Sequence, residues 1–141
     1  MIIQLKLDIE PVAKARPRFT RYGRTYTPKK TADFEKQIRE AFMLKYKDET
    51  VPIWGRETPL VVLASFGKTI PKSYTKKKRL QCISGEIAPT SKPDVDNYLK
   101  AVLDALNGLA FEDDSQIVRT VAVKQFSESP FVQITIRRDG E

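Results

Sequence analysis

The sequence predicts an α+β fold: a single domain with a mixed β-sheet of about four strands flanked by two helices, with two long basic loops. Three observations predict it. The chain has 141 residues, which suits one compact domain and leaves no room for two, so residues 1–141 are read as one unit. Apolar residues make up 40% and charged residues 30%, enough for a buried core and too apolar for wholesale disorder. The hydrophobic period also alternates between two and 3.6 along the chain, in the order strand, loop, helix, strand, loop, helix, strand, strand.

Each element has its own signal. Ile3, Leu5, Leu7 and Ile9 alternate with Gln4, Lys6 and Asp8, the pattern of a half-buried strand that Pro11 ends. Residues 11–30 mix proline, glycine, basic and aromatic residues and read as a long basic loop, with a small hairpin around Gly23. A loop of that length in a small domain usually serves function. Thr31 can cap a helix running to about Lys47, with Phe34, Ile38, Ala41, Phe42 and Lys45 on one stripe. Residues 48–58 connect, and Leu60 to Phe66 is a near-continuous apolar run, as in a central strand. Pro71, Pro89 and Pro93 discourage regular structure over 67–93, the second basic loop, which has room for a short helix around Lys76–Gln81. The second main helix spans 94–107, burying Val95, Leu99, Val102, Leu103 and Leu106, and Gly108 ends it. Ile117–Gln125 and Phe131–Arg137 are rich in Val, Ile and Thr and read as two strands.

Composition excludes several chemistries. There is no histidine, so histidine bases, histidine metal ligands and Ser-His-Asp triads are ruled out. The single cysteine, Cys82, cannot form an intrachain disulfide or a cysteine metal site. A metal would have to be held by oxygen, which points to Mg²⁺, with Mn²⁺ able to substitute. No run of 18 apolar residues suggests a membrane span and no signal-peptide pattern opens the chain, so a cytoplasmic protein is expected.

The net charge of +7 is unevenly spread. Residues 14–30 carry seven basic groups and no acid; residues 68–92 carry seven and one acid, leaving the remainder at −6. Two basic loops on a mildly acidic body resemble a footprint for nucleic-acid phosphate, against the plainer reading of a solubilising surface. On that reading Lys14, Arg16, Arg18, Arg21, Arg24, Lys72, Lys76, Lys77 and Lys92 are the candidate DNA contacts.

The candidate chemistry lies in Lys92-Pro93-Asp94-Val95-Asp96-Asn97-Tyr98-Leu99-Lys100 and Glu112-Asp113-Asp114-Ser115-Gln116. In mid-helix Asp94 and Asp96 would point roughly 200° apart. With Asp94 extended at the helix start, the two can converge on one cation. Lys100 follows Asp96 by four residues and shares its face. Asp113 and Asp114 precede a strand that can return the chain toward the helix start. Such carboxylates suit Mg²⁺-assisted phosphodiester hydrolysis. Each feature also has a structural reading: a helix cap, a surface ion pair with Lys100, a turn.

At these residues the sequence resembles the RusA family of Holliday-junction resolvases of bacteria and their prophages. Pro11 with Lys14-Ala15-Arg16-Pro17-Arg18, then Tyr26-Thr27-Pro28, fit its N-terminal part. The Lys92–Lys100 stretch, Asp104-Ala105-Leu106-Asn107-Gly108 and Phe111–Ile117 carry the most specific likeness. The resemblance implies Asp94, Asp96 and Asp114 as catalytic, metal-binding carboxylates, Asp113 as a further ligand candidate, and Lys100 as a catalytic partner near the phosphate. It implies a homodimer that binds four-way DNA junctions and nicks them symmetrically with Mg²⁺. The competing readings are a non-catalytic basic DNA-binding module of prophage origin and a structural protein with no DNA affinity.

Overall fold

The opening alternation becomes β1 (Ile2–Leu7), whose Ile3 and Leu5 are buried while Ile2, Gln4 and Lys6 face out. The computed structural model of the chain describes residues 1–15 and 18–141, and of Arg18 the backbone only. A short hairpin of β2 (Arg18–Phe19) and β3 (Thr25–Tyr26) turns through Gly23, whose φ of 78° is the left-handed conformation that glycine adopts without strain.

Helix α1 (Lys29–Lys45) buries Phe34, Ile38 and Phe42. It starts three residues earlier than a Thr31 cap predicts, with Pro28 in the cap position. Thr31 lies inside the first turn, 1% exposed, with its hydroxyl used elsewhere: it accepts from the Ala15 N–H and donates to the Ala13 carbonyl. The side chain expected to cap the helix therefore ties down the chain entering it.

Strand β4 (Leu60–Thr69) is longer than its apolar run. Its even-numbered residues Leu60, Val62, Ala64 and Phe66 enter the core. Helix α2 (Lys76–Ile83) realises the short helix expected within the second basic loop, and Thr75 caps it by accepting from the Lys78 N–H at 3.2 Å. Cys82 is buried there with Ile70 and Phe126 in a small satellite core. Helix α3 (Val95–Leu106) buries Tyr98, Ala101, Val102, Leu103, Ala105 and Leu106. A 3-10 turn (Asp114–Gln116) leads into β5 (Ile117–Ser127), and β6 (Phe131–Arg138) closes the chain.

The sheet order is β1-β6-β4-β5, with β4 and β5 parallel and the other pairs antiparallel. Because β6 pairs on the far side of β4, residues 128–130 carry the chain across the end of β4. Gly67 makes that crossing possible: a Cβ there would sit 2.3 Å from the Phe131 ring, which stands opposite it in register. Helices α1 and α3 pack on one face of the sheet, over the core of Ile3, Leu5, Phe66, Ile134 and Ile136. The mixed four-stranded sheet and its main core match the predicted α+β class; among the described residues the helices number three once α2 is counted.

Candidate active site

The approach to Asp94 is held from two sides. The Lys124 ammonium, on β5, donates to the carbonyls of Ser91 and Pro93 at 2.8 and 2.9 Å. The Lys68 ammonium, on β4, donates to the Lys92 carbonyl at 3.3 Å. Two sheet lysines thus satisfy backbone carbonyls of a segment that makes no ladder of its own. Asp94 then takes the N-cap position of α3 in an extended conformation (φ −68°, ψ 148°), as the sequence predicts. Its carboxylate makes no capping hydrogen bond, so the role of a plain helix cap does not account for it. Asp94 lines a shallow cleft of about 290 Å³ with Lys92, Pro93 and Asn97. Asp96, in the first turn, is exposed.

Lys100 does not form its ion pair with Asp96. Its ammonium lies 2.9 Å from Asp104, one turn further along α3, and 3.4 Å from Asp114. Those contacts hold it firmly protonated: the hydrogen bond to Asp104 leads in raising its pKa above the usual lysine value, and Asp114 adds to it against a desolvation penalty. Lys100 is therefore a fixed positive charge rather than a proton acceptor at neutral pH. Asp104 splits its carboxylate, Oδ1 to Lys100 and Oδ2 to Lys14 at 3.2 Å. Lys14 is clamped in turn by Glu35 of α1, at 2.7 Å. Partial burial works against the Lys14 charge, but its hydrogen bonds to Glu35 and Asp104 outweigh this and raise its pKa.

The two adjacent acids of the second motif have different neighbours. Asp113 caps the 3-10 turn, accepting from the Ser115 N–H at 3.0 Å; hydrogen bonding from Ser115, its side chain first and its N–H second, holds the carboxyl below the usual range. Asp114 faces α3 and meets Lys100. Behind them Gln116, 5% exposed, uses its whole amide. Its oxygen accepts from the N–H groups of Glu112 and Asp113, and its nitrogen donates to the carbonyls of Gly55 and Thr58. The loop that presents Asp114 is thereby bolted to the 53–58 connection.

The structure thus gathers Lys100, Asp104 and Asp114, with Lys14 and Glu35 behind them, and sets Asp94 and Asp96 at the start of the same helix. Among the described residues no group of three or more acids, cysteines or histidines closes into a metal cage. The donor set is nonetheless of the right kind for a hard cation: oxygen only, with Asp94 and Asp96 exposed and outside every ion pair of the described residues.

Of the candidate DNA contacts, Arg21 and Arg24 are exposed on the β2–β3 hairpin, and Lys72, Lys76 and Lys77 are exposed at and before the start of α2. Lys92 is exposed beside Asp94. Lys14 spends its charge on two carboxylates within the fold. Arg16 and the Arg18 side chain lie outside the described residues. Sequence reasoning missed Glu35, Asp104 as a partner of Lys100, Gln116 and Lys124; the i, i+4 spacing of Lys100 and Asp104 was the one local signal.

A relative from Bacillus subtilis (strain 168), described as "Uncharacterized protein YqaN", is 41% identical over 133 residues, covering 91% of this chain and 90% of the relative. The family model described as "Endodeoxyribonuclease RusA" matches residues 8–137, from just after β1 to near the end of β6 and across every residue of the candidate site. The chain belongs to the RusA family of endodeoxyribonucleases.

Proposed function

We propose that this protein is a divalent-metal-dependent endonuclease that resolves four-way DNA junctions by paired, symmetrical nicks. The observation that carries the reading is the arrangement along the first half of α3: two exposed aspartates outside every ion pair of the described residues, Asp94 and Asp96, with Lys100 held against a third, Asp114. Asp94, Asp96 and Asp114 would hold Mg²⁺ or Mn²⁺, with Asp113 a lesser candidate because its carboxylate already caps a turn. When bound, the cation would supply Lewis-acid stabilisation of charge on the phosphoryl group. The chain's own residues do the rest. Lys100 places a permanent positive charge beside Asp114, where a phosphate oxygen can meet it. Arg21, Arg24, Lys72, Lys76, Lys77 and Lys92 draw in and orient the DNA backbone.

A homodimer fits this role. A four-way junction has two-fold symmetry, and a two-fold dimer presents two identical sites. The sheet face away from α1 and α3 is not covered by any described element and exposes Leu63, Val121 and Val123 in neighbouring positions of β4 and β5. An apolar patch of that kind on a charged protein suits a self-association surface.

The test uses synthetic four-way junctions with Mg²⁺ and compares wild type with Asp96→Asn. We expect the variant to keep junction affinity and to lose cleavage by at least about a hundredfold, the scale on which electrostatic groups at a reacting phosphate act. Equal cleavage by the variant would sink the reading. Tight binding by wild type with no nicks in any divalent metal would favour the non-catalytic DNA-binding module instead.

A further inference from the structure

A cavity of about 420 Å³ lies between residues 10–15, the start of α1 and the start of α3. Glu10, Lys30, Thr31, Lys68, Pro93 and Tyr98 are among its walls. It adjoins the Asp94 cleft, because Pro93 lines both. Three of the stretches that carry the family resemblance meet here, around residues 11–15, 28–31 and 93–98, yet neither the metal ligands nor the phosphate contacts proposed above explain why.

Its chemistry is specific. Tyr98 is 3% exposed, and its ring packs against Phe66 with centroids 5.3 Å apart. Its hydroxyl has no hydrogen-bond partner among the described residues. Since no fully enclosed side-chain polar atom among them lacks a partner, this hydroxyl is not sealed off, and Tyr98 is one of the residues that line the cavity. Burial leads in pushing the Tyr98 hydroxyl above its usual pKa, and the Glu10 carboxylate adds to the effect, so it stays a donor. Glu10 is fixed by Thr69, which donates its hydroxyl at 2.6 Å and its N–H at 3.3 Å. A carboxylate has about four acceptor sites, so Glu10 keeps free lone pairs. Two cations stand in the walls. Among the described residues Lys30 forms no ion pair and Lys68 donates only to the Lys92 carbonyl.

We propose that this cavity receives one unstacked nucleobase of the strand being cut. Tyr98 and Glu10 read its hydrogen-bonding edge, and Lys30 and Lys68 meet the flanking phosphates. This rests on the nuclease reading and deepens it. Proline and alanine walls suit a flat ring, and one donor beside one acceptor suits a base edge. The volume lies at the small end of the roughly 300–1,000 Å³ of ligand pockets. A base enters only after leaving its stack, which costs least where the duplex is already interrupted, as at a branch point. The pocket would then set a base preference next to the cut, in a protein whose other DNA contacts go to the backbone.

The experiment places 2-aminopurine singly at successive positions of the strand around the branch point of a four-way junction, with Ca²⁺ replacing Mg²⁺ so that the DNA stays intact. Junction affinity is measured on the same samples. Wild type should raise the fluorescence several-fold at one position near the cut. Ala15→Leu, which fills the cavity, should abolish that rise while junction affinity stays within about threefold. With Mg²⁺, Tyr98→Phe keeps the ring and should flatten the preference among the four bases at that position by about tenfold in kcat/KM. Junction binding without any fluorescent position, or a rise that survives Ala15→Leu, overturns the pocket and leaves the nuclease reading standing. Failure to bind junction DNA at all overturns both.

Discussion

Asp104 shows what a single carboxylate can do through its neighbours in the fold. Its two oxygens join Lys100 to Lys14, and Glu35 anchors Lys14 from α1. Lys100 therefore sits against Asp114 because a chain of alternating charges holds it there. Asp104→Asn keeps the shape and removes the charge. It should lower kcat on four-way junctions about tenfold, near 1.4 kcal/mol, with junction affinity within about twofold. In a Lys100→Met background the same change should cost nothing further in kcat, because the two act as one unit. An additive loss would show Asp104 acting by another route. The sequence makes Asp94, Asp96, Lys100 and the Asp113-Asp114 pair legible because they lie in short local patterns. Lys14 and Asp104 are 90 residues apart, and nothing local marks a lysine in a basic stretch as one that will be neutralised inside the fold. Glu35 is hidden for the opposite reason: it follows Phe34 on α1 and reads as ordinary helix surface until the structure buries it to 8% exposed.

The same contrast between local and distant signals governs the elements. The helix α3, its extended start at Asp94 and its end at Gly108 (φ 85°) follow from apolar spacing and a glycine. The order of the sheet does not, because β6 inserts between β1 and β4 although β5 precedes it in the chain. Gly67 records that insertion. Gly67→Ala should cost about 1–3 kcal/mol as the Phe131 ring is displaced, and Phe131→Ala in the same protein should recover part of the loss; thermal unfolding of the four proteins measures both. An unchanged melting temperature for Gly67→Ala would mean that the ring swings aside freely. Gln116 plays the matching part for the loop carrying Asp114. Gln116→Leu removes four hydrogen bonds from a nearly buried site. It should destabilise the fold by about 1–3 kcal/mol and, unlike Gly67→Ala, slow cleavage at temperatures where the variant is still folded. Retained activity there would show that Asp114 does not depend on this support.

At the scale of the whole molecule, the basic loops and the apolar patch lie on different elements. Exposed cations stand on the β2–β3 hairpin and around α2, as well as along α1, while Leu63, Val121 and Val123 lie on the sheet face away from α1 and α3, beside the exposed Arg119. Binding should consequently be strongly salt-dependent, with the slope of log affinity against log salt set by the number of phosphates neutralised, about 0.9 for each. Replacing Lys76 and Lys77 by alanine should reduce that slope by about two in each subunit and weaken binding to four-way junctions of different sequence alike. Val121→Asp addresses the other surface. If the uncovered face joins two copies, sedimentation should show a dimer in wild type and a monomer in the variant. The monomer's salt slope should fall to about half, since each copy brings one set of basic loops. A variant that remains dimeric with an unchanged slope would place the self-association surface elsewhere, and a monomeric wild type would remove the two-fold argument for paired nicks.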